Sequence, residues 1–181
     1  MKLYEGPSRF DGKIIQVLVS GYERASENRK TGPMIQSYVV LRDVNPAEAA
    51  RTGEDMSVCW DCGLRPIAER LRKVTDDANG EVCYLTLVHD VQAIWKAHRD
   101  RPVEPIESLQ LSRPTPLRIA SYGEATAVKD PHFWTNLIAH CGGGHTGYTQ
   151  QWRRPDCQPF KPFLMASVHS PEQQAAAAAA W

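Results

Sequence analysis

Short runs of β-branched and apolar residues alternate along this chain with segments that begin like helices. Three of the helix starts share one signal, a polar residue followed directly by proline, at Asn45-Pro46, Asp130-Pro131 and Ser170-Pro171. The polar side chain can cap the first turn, and proline suits the first helical position, where no amide donor is needed. Strands that alternate with helices are typical of α/β domains and argue against a sandwich or a helical bundle.

A chain of 181 residues has the size of one domain with a substantial core. We therefore predict a single α/β domain over residues 1–181, with a mostly parallel sheet and flanking helices. An incomplete barrel is an alternative arrangement of this sheet. Helical patterns cover residues 66–73 and 91–98. The predicted strands run from Ile14 to Val19, Met34 to Leu41, Leu117 to Tyr122, Thr146 to Thr149 and Phe163 to Val168, and a short one begins at Cys83.

The charge balance gives no electrostatic signature for nucleic acid or an acidic membrane, since 21 Lys and Arg residues face 21 Asp and Glu residues. The N-terminal residues lack the apolar run of a signal peptide, and no stretch has the apolar length of a membrane span. We expect a cytoplasmic protein with no membrane partner. Five cysteines in a reducing compartment favour metal ligation or free thiols over a disulfide framework.

The cysteine motif Cys59-Trp60-Asp61-Cys62, followed by Cys83, indicates a metal site within a Cys-rich loop at residues 55–84. Two cysteines separated by two residues can turn their sulfurs toward one ion, and thiolates suit zinc or an iron–sulfur cluster. The spacing does not distinguish these two cofactors.

The fourth ligand is not evident, because no second cysteine pair follows Cys83. Three thiolates alone would leave an open position, as catalytic metals have, whereas a fourth protein ligand would make a structural zinc site. Candidates for that ligand are Cys157, Cys141, His145 and His89. Two alternatives remain: a redox dithiol at Cys59 and Cys62, and an ordinary buried thiol at Cys83.

Polar and aromatic residues also collect where predicted strands end. In parallel sheets and barrels ligands bind at the carboxyl ends of strands, so we expect these residues to line one cleft. Glu124 and His169 are the candidate catalytic residues. The candidate cofactor-binding residues are Tyr122, Tyr148, Gln150 and Trp152.

Several segments in order resemble the gene product 88 family of mycobacteriophages, plasmids and other mobile elements, a family of uncharacterised function. They are Gly32 to Gln36, Cys59 to Cys62, Cys83-Tyr84, Ala120 to Glu124, Thr146 to Trp152 and Met165 to Ser170. The resemblance begins near Thr31, which divides the chain into an N-terminal strand and loop at 1–30 and a family-like core at 31–181. It implies a phage or mobile-element origin.

A more distant, fold-level similarity links the three cysteines and the α/β pattern to radical S-adenosylmethionine enzymes. It would imply S-adenosylmethionine as a cofactor. Those enzymes, however, usually place three cysteines in one short loop, whereas Cys83 lies 21 positions after Cys62.

Together these patterns predict a phage or mobile-element metalloprotein with a three-cysteine metal or iron–sulfur site. One version of this prediction is an enzyme with a small-molecule substrate. The alternative is a zinc-stabilised binding protein that acts on nucleic acid or on a host defence protein. A basic and aromatic cluster, Trp152 to Arg154 with Lys161, is the feature that would stack on a nucleobase.

Overall fold

The computed structural model describes residues 1–23, 32–65, 83 and 90–181. Six strands in these ranges form one sheet. Their bounds are β1 Lys2–Pro7, β2 Ile14–Ser20, β3 Ile35–Leu41, β4 Thr115–Tyr122, β5 Gly142–Thr149 and β6 Met165–Ala166. The α-helices of the same ranges are α1 Pro46–Thr52, α2 Met56–Cys59, α3 Gln92–His98, α4 His132–Cys141 and α5 Pro171–Ala180. Short 3₁₀ turns lie at Ile106–Ser108, Ala125–Ala127 and Pro155–Phe160.

The strands lie side by side in chain order, from β1 at one edge to β6 at the other. β1, β2 and β3 pair antiparallel, and β3, β4, β5 and β6 pair parallel. The α/β prediction with a mostly parallel sheet and flanking helices is confirmed. In the described ranges the sheet is open, with β1 and β6 at its edges, and does not close into a barrel.

The core follows from strands that are apolar along their whole length. Every residue of β3 is buried, and β2 is buried from Ile15 to Val19, a pattern typical of strands covered on both faces. α4 contributes Trp134 and Leu137, both fully buried, and packs beside β4 and β5. None of the helices in the described ranges is long and apolar enough to cross a membrane.

The cap and proline signals are confirmed where α1 and α5 begin. The side chains of Asn45 and Ser170 each accept a hydrogen bond from the first turn of the helix. α4 is assigned from His132, one residue later than the sequence indicates, although Pro131 already has helical φ −64° and ψ −23° and the Asp130 carboxylate accepts from the His132 amide as an N-cap does. The helix predicted at 66–73 and the strand predicted after Cys83 lie outside the described residues.

Two strand predictions differ in extent from the structure. β5 begins at Gly142, because the glycine run can lie against β4: a Cβ on Gly143 would come within 2.3 Å of the Thr115 backbone. β6 covers only Met165–Ala166, since the amides of Phe163 and Leu164 donate to the Phe160 carbonyl in a turn. These amides are therefore not available to extend the strand.

Replacing Leu137 with Ala should lower the free energy of unfolding by about 2–5 kcal/mol, because it leaves a cavity beneath the sheet. Urea unfolding followed by circular dichroism would measure the change. Thr135→Ala, at an exposed position of the same helix, should change stability by no more than about 0.5 kcal/mol. Equal effects of the two substitutions would contradict the assigned helix face.

Candidate functional site

A cavity of about 150 Å³ lies at the carboxyl ends of β4, β5 and β6. These ends meet because the three strands are parallel neighbours, with Ile119 opposite Gly147 and Thr149 opposite Ala166. The residues that line it are Cys59, Cys62, Leu64, Cys83, Ala120, Ser121, Tyr122, Gly123, Glu124, Tyr148, Gln150 and Ser167. The cavity therefore contains all three predicted metal-binding cysteines and four of the six residues expected in the cleft.

The Cys59–Cys62 segment is a β-turn that follows α2. The Cys62 amide donates to the Cys59 carbonyl at 3.1 Å. Trp60, the second residue of the turn, has φ 50° and ψ −123°, the backbone conformation that a type II′ turn requires and that normally favours glycine. A bulky residue in this conformation is strained, so the surrounding contacts must hold it there.

Contacts from three directions hold this turn. Arg65 donates to the Trp60 carbonyl at 2.7 Å and forms a buried ion pair with Asp55 at 2.5 Å. Phe10 stacks on the Trp60 ring with centroids 5.5 Å apart, and the Arg154 guanidinium lies 5.5 Å from the same ring. The two cysteines of the motif are therefore presented on a fixed backbone.

The thiols are in an environment that opposes ionisation. Burial raises the pKa of Cys59 well above its ordinary value, and the negative charge of Asp55 raises it further. Burial likewise raises the pKa of Cys62 to about 11. The Cys83 amide donates to the Leu64 carbonyl at 2.9 Å, which brings the third cysteine to the same loop. At neutral pH the metal-free cysteines at positions 59 and 62 are thiols.

Glu124 is the most connected polar residue of the cavity. One carboxyl oxygen accepts from the Thr149 hydroxyl at 2.7 Å, the other accepts from the Gln150 amide at 2.8 Å, and the Glu124 amide donates to the Val58 carbonyl at 2.6 Å. The side chain is only 5% exposed. Burial raises the pKa of Glu124 to about 7, although the two hydrogen bonds favour its charged form.

The other two residues expected in the cleft lie behind it. Trp152 is 1% exposed and donates to the Ser167 carbonyl at 3.1 Å, with the Arg153 guanidinium 3.9 Å from its ring. Its ring is therefore covered and cannot stack on a base in this conformation. His169 contacts the Gln150 side-chain amide at 2.8 Å, and Gln150 lines the cavity.

The candidates for a fourth metal ligand are placed elsewhere where they are described. Cys141 and His145 lie toward the start of β5, at the opposite end of the strand from the cavity, and Cys157 packs beside Asp156. His89 lies outside the described residues. Within the described ranges, no group of three or more His, Cys, Asp or Glu side chains is arranged to hold a metal ion.

A bulge in β4 shapes the cavity and was not predicted. Between Gln36 and Tyr38, β3 has one residue where β4 has three, and Ala120 takes φ 48° to fit them. The Ser37 hydroxyl fills the gap in the ladder, since it donates to the Arg118 carbonyl and accepts from the Ala120 amide. Bulges of this kind often re-aim side chains beside functional sites.

Sequence reasoning also missed the polar residues that connect the strand ends. Ser167 accepts from the Gln150 side chain at 2.8 Å, and Gln151 donates to Asp61 of the cysteine motif at 2.8 Å. The available sequence signal was position, because each of Thr149, Gln151 and Ser167 adjoins a residue or a strand end that the sequence had indicated. Their partners lie up to 90 positions away.

No family model, curated protein or solved structure matches this chain. The resemblance to the gene product 88 family and the distant similarity to radical S-adenosylmethionine enzymes therefore stay predictions.

Glu124 should make the metal-free protein less stable as the pH rises from about 4.5 to about 7. In that range the carboxyl group is protonated when folded and ionised when unfolded, so the unfolded state binds fewer protons. The loss should reach about 3 kcal/mol in total and level off above pH 7. Urea unfolding at a series of pH values, with a chelator present, would measure it.

Glu124→Gln should remove this part of the pH dependence. Glu107→Gln, at an exposed position, should retain the wild-type profile. A Glu124→Gln protein whose stability falls with pH as steeply as the parent's would mean that another group titrates.

Proposed function

We propose that this protein holds a soft metal ion or an iron–sulfur cluster through Cys59, Cys62 and Cys83, beside a small-molecule cavity. The observation that carries the proposal is that the three thiols line one cavity, although Cys83 lies 21 positions beyond Cys62. Thiolates are the ligands that zinc and iron–sulfur centres prefer. The donor set therefore fits either centre.

The acid–base state of the cysteines favours metal binding over dithiol redox chemistry. Reactive redox cysteines need a lowered pKa, because the thiolate is the nucleophile. Cys59 and Cys62 have raised pKa values, with no described cation strong enough to reverse the effect of burial. A bound metal would displace their protons and stabilise the thiolates, so binding should release protons and depend on pH.

Metal binding on this proposal requires the sulfur atoms to move together. The metal-free side chains are not arranged as a ligand group within the described ranges. The Cys59–Cys62 turn is already braced by Arg65 and by the Phe10 ring. Side-chain rotation in the turn and approach of Cys83 are the adjustments that would complete the site.

We further propose an enzymatic role for the cavity. A structural zinc site is normally closed, whereas these cysteines face a space that also exposes Glu124, Tyr148 and Gln150. Glu124, with a pKa of about 7, suits proton transfer near neutral pH. His169 would act with it through Gln150, which both residues contact. The order of the sequence motifs supports a phage or mobile-element origin for such an enzyme.

Purification without oxygen, followed by metal and sulfide analysis and an absorbance spectrum, tests the proposal. Iron with sulfide and a brown colour would support a cluster, and one zinc per chain would support the zinc-stabilised alternative. Cys62→Ser should reduce the metal content to below about a tenth of the wild-type value and lower thermal stability, because metal-binding energy is partly folding energy.

Cys141→Ala is the matched control, since Cys141 is a buried cysteine at the far end of β5. It should retain the full metal content. Wild-type protein that binds neither iron nor zinc, or a Cys62→Ser protein that keeps its metal, would overturn the metal proposal.

A further inference from the structure

Within the part of the chain that the structure describes, the buried hydroxyl group of Tyr122 has no hydrogen-bond partner. The residue is 4% exposed and ends β4 at the wall of the cavity. An unsatisfied buried hydroxyl costs about 1–3 kcal/mol, and native proteins retain few of them. Such a group beside a cavity is expected to have a partner when the cavity is in its working state.

The cysteine sulfur atoms of the cavity are the candidate hydrogen-bond acceptors for this hydroxyl. Burial raises the pKa of Tyr122 well above its ordinary value, and negative charge on Cys59, Asp55 or Cys83 would raise it further. Tyr122 also lines the same cavity as Cys59 and Cys83. Asp55 is held by the Arg65 guanidinium, which donates to it from two nitrogens at 3.0 and 2.5 Å.

Two unusual backbone conformations, one on each side of Tyr122, fix where this side chain lies. The β4 bulge places Ala120 in the left-handed region, and Tyr122 then pairs with Tyr38 across the strands. Gly123 follows with φ 75°, and a Cβ there would come within 2.4 Å of the Val39 carbonyl oxygen. Tyr122 is thus held between two unusual backbone positions beside the cysteine turn.

We propose that Tyr122 is a positioning residue for the metal centre, whose hydroxyl donates a hydrogen bond to a cysteine thiolate of the cavity when the centre is occupied. The inference rests on the proposed metal function and adds a residue to it. A thiol sulfur is a weak acceptor, and a thiolate is a strong one. The hydroxyl is therefore unpaired in the metal-free protein and paired in the loaded protein.

This role predicts effects of opposite sign on stability and on metal binding. Tyr122→Phe removes a group that is unsatisfied in the metal-free protein, so the melting temperature of that form should stay the same or rise. The same substitution removes a charge-assisted hydrogen bond from the loaded protein, so metal affinity should fall by about tenfold or more.

Reduced, metal-free protein is titrated with Co²⁺, and the thiolate-to-cobalt charge-transfer absorbance measures the cobalt affinity. Zn²⁺ in a competing chelator then displaces Co²⁺, which measures the zinc affinity. Tyr38→Phe is the matched control, because Tyr38 is the cross-strand neighbour and its hydroxyl is hydrogen-bonded to Ser20. Tyr38→Phe should lower the melting temperature of the metal-free protein and leave both metal affinities unchanged.

The outcomes separate the two proposals. Wild-type protein that binds Co²⁺ and Zn²⁺ through thiolates, with a Tyr122→Phe variant of equal affinity, overturns the role of Tyr122 and leaves the metal site standing. Wild-type protein that shows no thiolate-to-cobalt band, and that also contains neither iron nor zinc when purified without oxygen, overturns the metal function and this inference with it. A metal-free Tyr122→Phe protein that melts well below the parent would show that the hydroxyl already has a partner, and would also overturn the inference.

Discussion

Glu124 connects the ends of β4 and β5 to α2. Its carboxyl group accepts hydrogen bonds from Thr149 and Gln150 at the end of β5, and its backbone amide donates to the Val58 carbonyl in α2, the helix that leads to the cysteine turn. These hydrogen bonds fix the ends of β4 and β5 relative to α2. With the hydrogen bond from Gln151 to Asp61, they hold the strand ends beside the cysteine turn, where the cavity lies.

Backbone strain is concentrated around the same cavity. Ala120 in the β4 bulge and Trp60 in the cysteine turn are the non-glycine residues with positive φ in the described ranges. Each costs of order 1–3 kcal/mol, which neighbouring contacts must offset. Ser37 satisfies the backbone at the bulge, and stacking by Phe10 with hydrogen bonds from Arg65 holds the turn. Strained positions that are supported this thoroughly are typical of sites with a function.

Most elements of the fold could be predicted from the sequence because their signals are local, whereas β1 and α2 were not predicted. Continuous apolar runs define β2 and β3, and polar residues before proline define the starts of α1 and α5. The parallel order of the later strands then brings Tyr122, Glu124, Tyr148 and Gln150 to one cavity, as their positions at strand ends indicated. Thus the location of the site follows from periodicity together with the rule that ligands bind at strand ends.

What could not be predicted depends on partners distant in the chain. Trp152 has the same local context as Gln150, yet its indole turns inward because Ser167 offers a carbonyl acceptor there. The β4 bulge exists only because Ser37, 83 positions before Ala120, can satisfy the interrupted ladder. Neither of these two interactions produces a recognisable sequence pattern around Trp152 or Ala120.

The cavity gathers polar groups whose burial is incompletely compensated in the metal-free protein. Glu124 and the two cysteines of the turn all have pKa values raised by burial, and the Tyr122 hydroxyl has no partner. Uncompensated groups of this kind lower stability, so a protein selected for stability alone would replace them with apolar side chains. A cation bound among the sulfurs would convert the same groups into a matched set, because it favours the thiolates and gives the tyrosine hydroxyl a charged acceptor. On the metal proposal, binding would therefore supply the stability that this region lacks.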